Sequence, residues 1–221
     1  MVTVYSPPVR LTLCGKYMKD SQKTKATEVE DDIFNLPPQE IFDKVGNDWH
    51  FWLSKTDALL SASELLNINC GNPPKLTDEP RDRDYKKAWD YIKIHMVVRM
   101  LRGMAVECLL KAIWLKKGGT LAHKGNYRTI PGTKDHDLYL LATKVSESTA
   151  LGLTVEEMKI LSRLSYAITS GRYPIQKSVT GRKPSTPKMD GRIRWHKWEI
   201  PKDDEMFESI VGKLMSSFDG E

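Results

Sequence analysis

At 221 residues, 40% hydrophobic and 29% charged, the chain has the composition of one globular domain with a sizeable core, too short to suggest two ordinary domains and without the run of about 18 apolar residues that would cross a bilayer. Cys14, Cys70 and Cys108 are odd in number and far apart, which excludes a disulfide framework or a close-paired zinc motif and points to thiols in a reducing, cytoplasmic setting. The net charge of +5 is uneven: Ile175 to Trp198 holds seven Lys and Arg against Asp190, a local +6, so the remainder is near −1.

Residues 1–35 carry Pro7, Pro8 and the polar run Lys19 to Asp32. The prolines interrupt any signal-peptide apolar segment, and few positions can be buried, so an arm is expected, partly disordered, with a short strand over Arg10 to Cys14. Residues 36–221 read as one helical domain. Pro38 opens a short helix that Gly46 closes. Asn47 or Asp48 caps the next, in which Trp49, Trp52, Leu53, Leu59, Leu60 and Leu66 recur at helical spacing until Asn67 to Pro74 breaks the pattern.

After a polar link over Leu76 to Asp84, helical periodicity resumes at Tyr85 and continues to Lys117. Within this stretch, Met104 to Leu115 is apolar around almost its whole circumference, apart from Glu107 and Lys111, so it belongs in the middle of a bundle. Gly103 marks either a kink or a close approach of another backbone. Thr120 to Pro131 reads as loop, and a helix starts near Asp135 with His136 in its first turn. Thr154 and Glu157 form a capping box for a further helix that Gly171 stops. Ile175 to Pro201 is punctuated by Pro and Gly, though Arg192 to Ile200, RIRWHKWEI, could be extended; Asp203 to Phe218 is the last helix. The expected fold is therefore all-α, an up-and-down helical bundle with an N-terminal arm and a basic loop or short hairpin before the last helix.

Chemistry-bearing motifs are few. The sequence has no Gly-rich phosphate loop, no His-Glu zinc signature and no nucleophile beside a histidine. Cys108 and His95 read as packing residues on helix faces. Glu107 stands out, because a carboxylate in an apolar setting must be paired or raised in pKa. Lys111, four residues on, is its first candidate partner, with His136 and Arg172 as the others. A structural ion pair and a functional role are both open for it, as are plain helix termination by SGRYP and capping by His136.

GMAVECLLKAIWLKKG, then HDLYLLA, then a capped helix ending in SGRYP resembles the HEPN superfamily (higher eukaryotes and prokaryotes nucleotide-binding), in the branch with a Glu-Cys/Leu-Leu-Leu-Lys helix, over about Trp49 to Pro174. The resemblance implies a helical bundle, frequent homodimers, and metal-independent RNA cleavage in toxin–antitoxin or phage-defence systems, with a partner protein such as an antitoxin. Ribonuclease members carry Arg, four to six residues, then His on one helix. None of His50, His95, His123, His136 and His196 has an Arg at that distance before it. The expected function is therefore non-catalytic RNA or partner binding, with no cofactor or metal. The alternative is a divergent metal-independent endoribonuclease acting through Glu107, Lys111, His136 and Arg172. Lys177, Arg182, Lys183, Arg192, Arg194, Trp195, Lys197 and Trp198 are the expected nucleic-acid contacts, since cations interleaved with tryptophans offer phosphate pairing and base stacking in one short piece. A solvated loop whose tryptophans pack on the bundle is the plain alternative.

Overall fold

Pro38 begins α1 (Pro38–Gly46), where its missing N–H costs nothing. Asp48 caps α2 (Trp49–Cys70) by accepting the His50 amide at 2.9 Å. The computed structural model describes residues 36–71, 82–172 and 202–219, and these form an all-α bundle. After α2 come α3 (Asp82–Lys116), α4 (Leu138–Ser146), α5 (Val155–Arg172) and α6 (Lys202–Ser216), with an antiparallel hairpin, β1 (Ala122–His123) and β2 (Asn126–Tyr127), between α3 and α4. The expected arm, its strand, and the extended piece RIRWHKWEI lie outside the described residues.

The longest helix, α3, packs against α2, α4, α5 and α6. Thr56 Oγ1 reaches the Ala105 carbonyl and Cys70 Sγ the Tyr91 carbonyl, so α2 and α3 run antiparallel. The core forms around the second half of α3, where Val106, Leu109, Leu110, Ala112 and Ile113 are buried against Leu138, Leu141, Leu161, Leu164, Ile168 and Ile210. Burial does not extend along the whole helix as its periodicity suggests. Trp89 is 60% exposed and Ile92, Met96 and Val97 are also exposed; among the described residues α5 ends near Met100, which meets Gly171. No helix among the described residues is long and apolar enough to cross a membrane.

Gly103 marks a close approach of α5 to α3. A Cβ there would lie 2.8 Å from Ile168 Cγ1 and 3.1 Å from the Leu164 carbonyl oxygen. Helix ends depart from the periodicity by a turn or less: α3 begins at Asp82 because a polar first turn carries no apolar period, and α5 runs through Gly171 to Arg172. Arg172 is therefore the last helical residue of α5 and does not follow the stop.

The capping box at α5 forms as expected, the Glu157 amide donating to Thr154 Oγ1 at 3.2 Å and the Thr154 amide to Glu157 Oε2 at 2.6 Å. Glu157 also accepts from Ser209 Oγ and Lys213 Nζ, both at 2.7 Å, joining α5 to α6. Burial would raise this carboxyl, but the Lys213, Thr154 and Ser209 donors outweigh it and hold it down at about 2. Asp203 and Asp204, in the first turn of α6, pair with Arg163 of α5 and Arg102 of α3, acids at the end of the helix where its dipole favours them.

Gly103→Ala tests the α3–α5 approach. Alanine gains about 1 kcal/mol of helix propensity, but overpacking costs typically 1–3 kcal/mol, and a backbone carbonyl cannot step aside as a side-chain tip can. Urea unfolding is expected to show a net loss of up to about 2 kcal/mol; a gain would mean that the helices have room to separate.

Candidate functional site

Glu107 lies in the apolar half of α3, its side chain 8% exposed, and both of its oxygens are engaged. Lys111 Nζ donates to Oε1 at 2.6 Å and His136 Nδ1 to Oε2 at 2.7 Å. The four-residue spacing brings Lys111 over the same face of α3. An ionised carboxylate only accepts, so Nδ1 carries the hydrogen of its bond, and in a neutral ring Nε2 is left as the basic nitrogen. The His136 side chain is 30% exposed, whereas that of Lys111 is 7% exposed.

Lys111 is enclosed. Its Nζ lies 5.0 Å from the centre of the Trp52 ring and 5.1 Å from that of Tyr127, within range of an attractive cation–π contact. Asp135 stands 3.9 Å away and accepts the Tyr127 hydroxyl at 2.8 Å. Burial alone would raise the Glu107 carboxyl, but the His136 hydrogen bond and the Lys111 charge outweigh it and hold the group below its ordinary value of 4.5. Burial would likewise lower the Lys111 ammonium, and the Glu107 charge and hydrogen bond hold it above 10.5. Tyr127 is pushed up to about 12, chiefly by burial, against the pull of Lys111. Glu107 and Lys111 thus form an ionised, mutually neutralising pair at physiological pH.

Two short pieces of backbone bring these groups onto α3. His136 does not stand in the first turn of a helix; it precedes α4 with φ at +67°, and Asp137 is the cap, accepting the Leu140 amide at 3.1 Å. The left-handed turn swings the imidazole back toward Glu107, and histidine is among the few residue types enriched there. The Leu138 amide is fixed to Ser165 Oγ of α5 at 2.9 Å. The second piece is the hairpin, which replaces the featureless loop expected over Thr120 to Pro131. Its turn residues Lys124 and Gly125 have φ of 51° and 70°, the positive pair of a type I′ turn. Asp43 of α1 accepts both turn amides, at 2.6 and 2.9 Å. Asn47 accepts the Leu121 and Ala122 amides and donates to the Ala122 carbonyl, and this clamp sets Tyr127 over Lys111.

Of the candidate residues, Glu107, Lys111 and His136 thus come together; the Arg172 side chain lies outside the described residues, as do Lys177, Arg182, Lys183, Arg192, Arg194, Trp195, Lys197 and Trp198. The thiol of Cys108 is pushed up to about 11, first by burial and then by Glu107, so it is no nucleophile near neutral pH. His95 is buried with its ring 4.2 Å from that of Tyr91, and burial and Arg99 lower its pKa. Periodicity placed Trp52 on a helix face and a helix start near Asp135 but gave neither a part in the site, and it did not single out Tyr127, although Gly125 was a turn signal beside it. Among the described residues no group of three or more metal-ligating side chains occurs. Comparison with protein-family models, with curated proteins and with solved structures finds no match.

Glu107→Ala is expected to cost about 3–5 kcal/mol at neutral pH, because Lys111 is left buried without its partner. The sign with pH follows from the depressed carboxyl: its contribution is complete above the unfolded value of about 4.5 and is lost as pH falls through the lower folded value. The gap in stability between wild type and Glu107→Ala should narrow in acid, and chemical denaturation at neutral and acidic pH reads it directly. An alanine variant as stable as wild type at neutral pH would mean that the cluster contributes nothing to the fold.

Proposed function

We propose that this chain is a HEPN-like helical module that acts by binding RNA or a partner protein, without cutting RNA, in an RNA-related or defence setting. The observation that carries the proposal is the enclosure of Lys111. Metal-independent cleavage needs a proton-transfer group and a free cation for the phosphate, and Lys111, the cation that shares Glu107 with His136, is buried beneath Trp52 and Tyr127 and spent on Glu107. The basic segment from Lys177 to Trp198 supplies the sequence side of the proposal, through cations that pair with phosphates and tryptophans that stack on bases.

One observation favours the second reading, a divergent endoribonuclease. Glu107 orients His136 through Nδ1 as an acid orients a catalytic histidine, and a left-handed residue at a partly exposed position is a kind of strain that gathers at functional sites. Arg172 would then supply the cation.

Purified protein incubated with total RNA, with and without EDTA, separates the two. Binding without cleavage is expected, with affinity falling steeply as salt rises and a flatter slope in the Arg192→Ala, Arg194→Ala double variant. Metal-independent cutting by wild type that disappears in folded His136→Ala and Arg172→Ala would replace the binding reading with the enzymatic one.

A further inference from the structure

Among the described residues only two other than glycine have positive φ, Lys124 at 51° and His136 at 67°. Both lie in the single stretch between α3 and α4. A type I′ turn prefers Asn, Asp or Gly at its first central position, so a lysine at the tip of the hairpin is held in a conformation its side chain disfavours. Asp43 meets that cost by accepting both turn amides, and the lysine side chain is left exposed. Strained positions of this kind concentrate where a side chain is needed for a contact outside the fold.

The neighbouring surface is cationic and carries a ring. Arg128 and Lys134 are exposed, and the Tyr127–Asp135 hydrogen bond brings their two strands of chain side by side. Lys124, Arg128 and Lys134 have no ion-pair partner among the described residues. The nearby acids are committed elsewhere, Asp43 to the turn amides and Asp135 to Tyr127 and Lys111. Tyr127 is 40% exposed although Lys111 lies over its ring.

We infer that residues 122–136 form a contact surface for single-stranded RNA, with Lys124, Arg128 and Lys134 pairing phosphates and Tyr127 stacking on a base. Exposed rings among cations suit a single strand, whose bases are free to stack. An acidic peptide would make no use of the ring, and a membrane surface would call for inserting apolar side chains, which this stretch keeps inside as Leu121, Ala122 and Ile130. The inference rests on the RNA-binding reading and adds to it a site remote in sequence from Lys177 to Trp198.

The test uses the full chain and a fluorescein-labelled single-stranded oligouridylate, with affinity followed against salt. Lys124→Asn suits the left-handed turn better than lysine while removing the charge, so thermal stability should hold or rise while RNA affinity falls. With Arg128→Ala and Lys134→Ala added, three lost phosphate contacts should flatten the log–log salt slope by about 2. Tyr127→Leu should bind several-fold more weakly than wild type, and Tyr127→Phe, which keeps the ring while losing the Asp135 hydrogen bond, should bind more tightly than Tyr127→Leu. Wild-type slope and affinity in the triple variant, beside a flattened slope in Arg192→Ala, Arg194→Ala, overturns this surface and leaves RNA binding standing. No binding by wild type overturns both. Equal weakening of a polyglutamate probe in the triple variant overturns RNA as the occupant.

Discussion

Glu107 can be ionised inside the bundle only because each of its oxygens has a donor, and the two donors come from different parts of the chain. Lys111 belongs to the same helix and is supplied by spacing alone. His136 comes from 29 residues away and reaches the carboxylate only if the chain between α3 and α4 takes one particular course. The left-handed His136, the cap at Asp137, the anchoring of Leu138 on Ser165 and the clamp of Asp43 and Asn47 on the hairpin all hold that course. A buried charge thereby fixes a loop that has little apolar surface of its own.

The same arrangement limits the chemistry. A cation between two rings and two carboxylates cannot also meet an incoming phosphate without leaving one of them, and a thiol pushed up by burial cannot attack. Partly exposed or exposed around the cluster are the His136 imidazole, Tyr127 and the cations Lys124, Arg128 and Lys134, which have no ion-pair partner among the described residues. A cluster that looks catalytic by composition need not be so by geometry.

The bundle was legible because long helices repeat their apolar residues many times. Met104 to Leu115 announced its own burial, Thr154 and Glu157 their capping box, and Glu107 with Lys111 their pair. What was hidden depended on short-range backbone choices or on contacts between distant segments. Whether His136 lay inside or before a helix turned on one φ angle, and the hairpin rests on two residues per strand, too few for any alternation to show. The enclosure of Lys111 by Trp52 and Tyr127 joins three elements, and no spacing in one dimension encodes it. Periodicity alone did not separate the exposed first half of α3 from the buried second half, because apolar residues there have the right period but no helix opposite them among the described residues.

That half of α3 gives one helix two mechanical regimes. At 35 residues it is a rod of about 50 Å, buried near Leu110 and, among the described residues, backed near Tyr91 by α2. Opening free energies in a folded protein run from almost nothing at frayed ends to the full unfolding value in the core, and here that gradient lies along a single continuous element. Opening is therefore expected to cost most around the buried Ile113 and least toward Asp90, where the helix is more exposed.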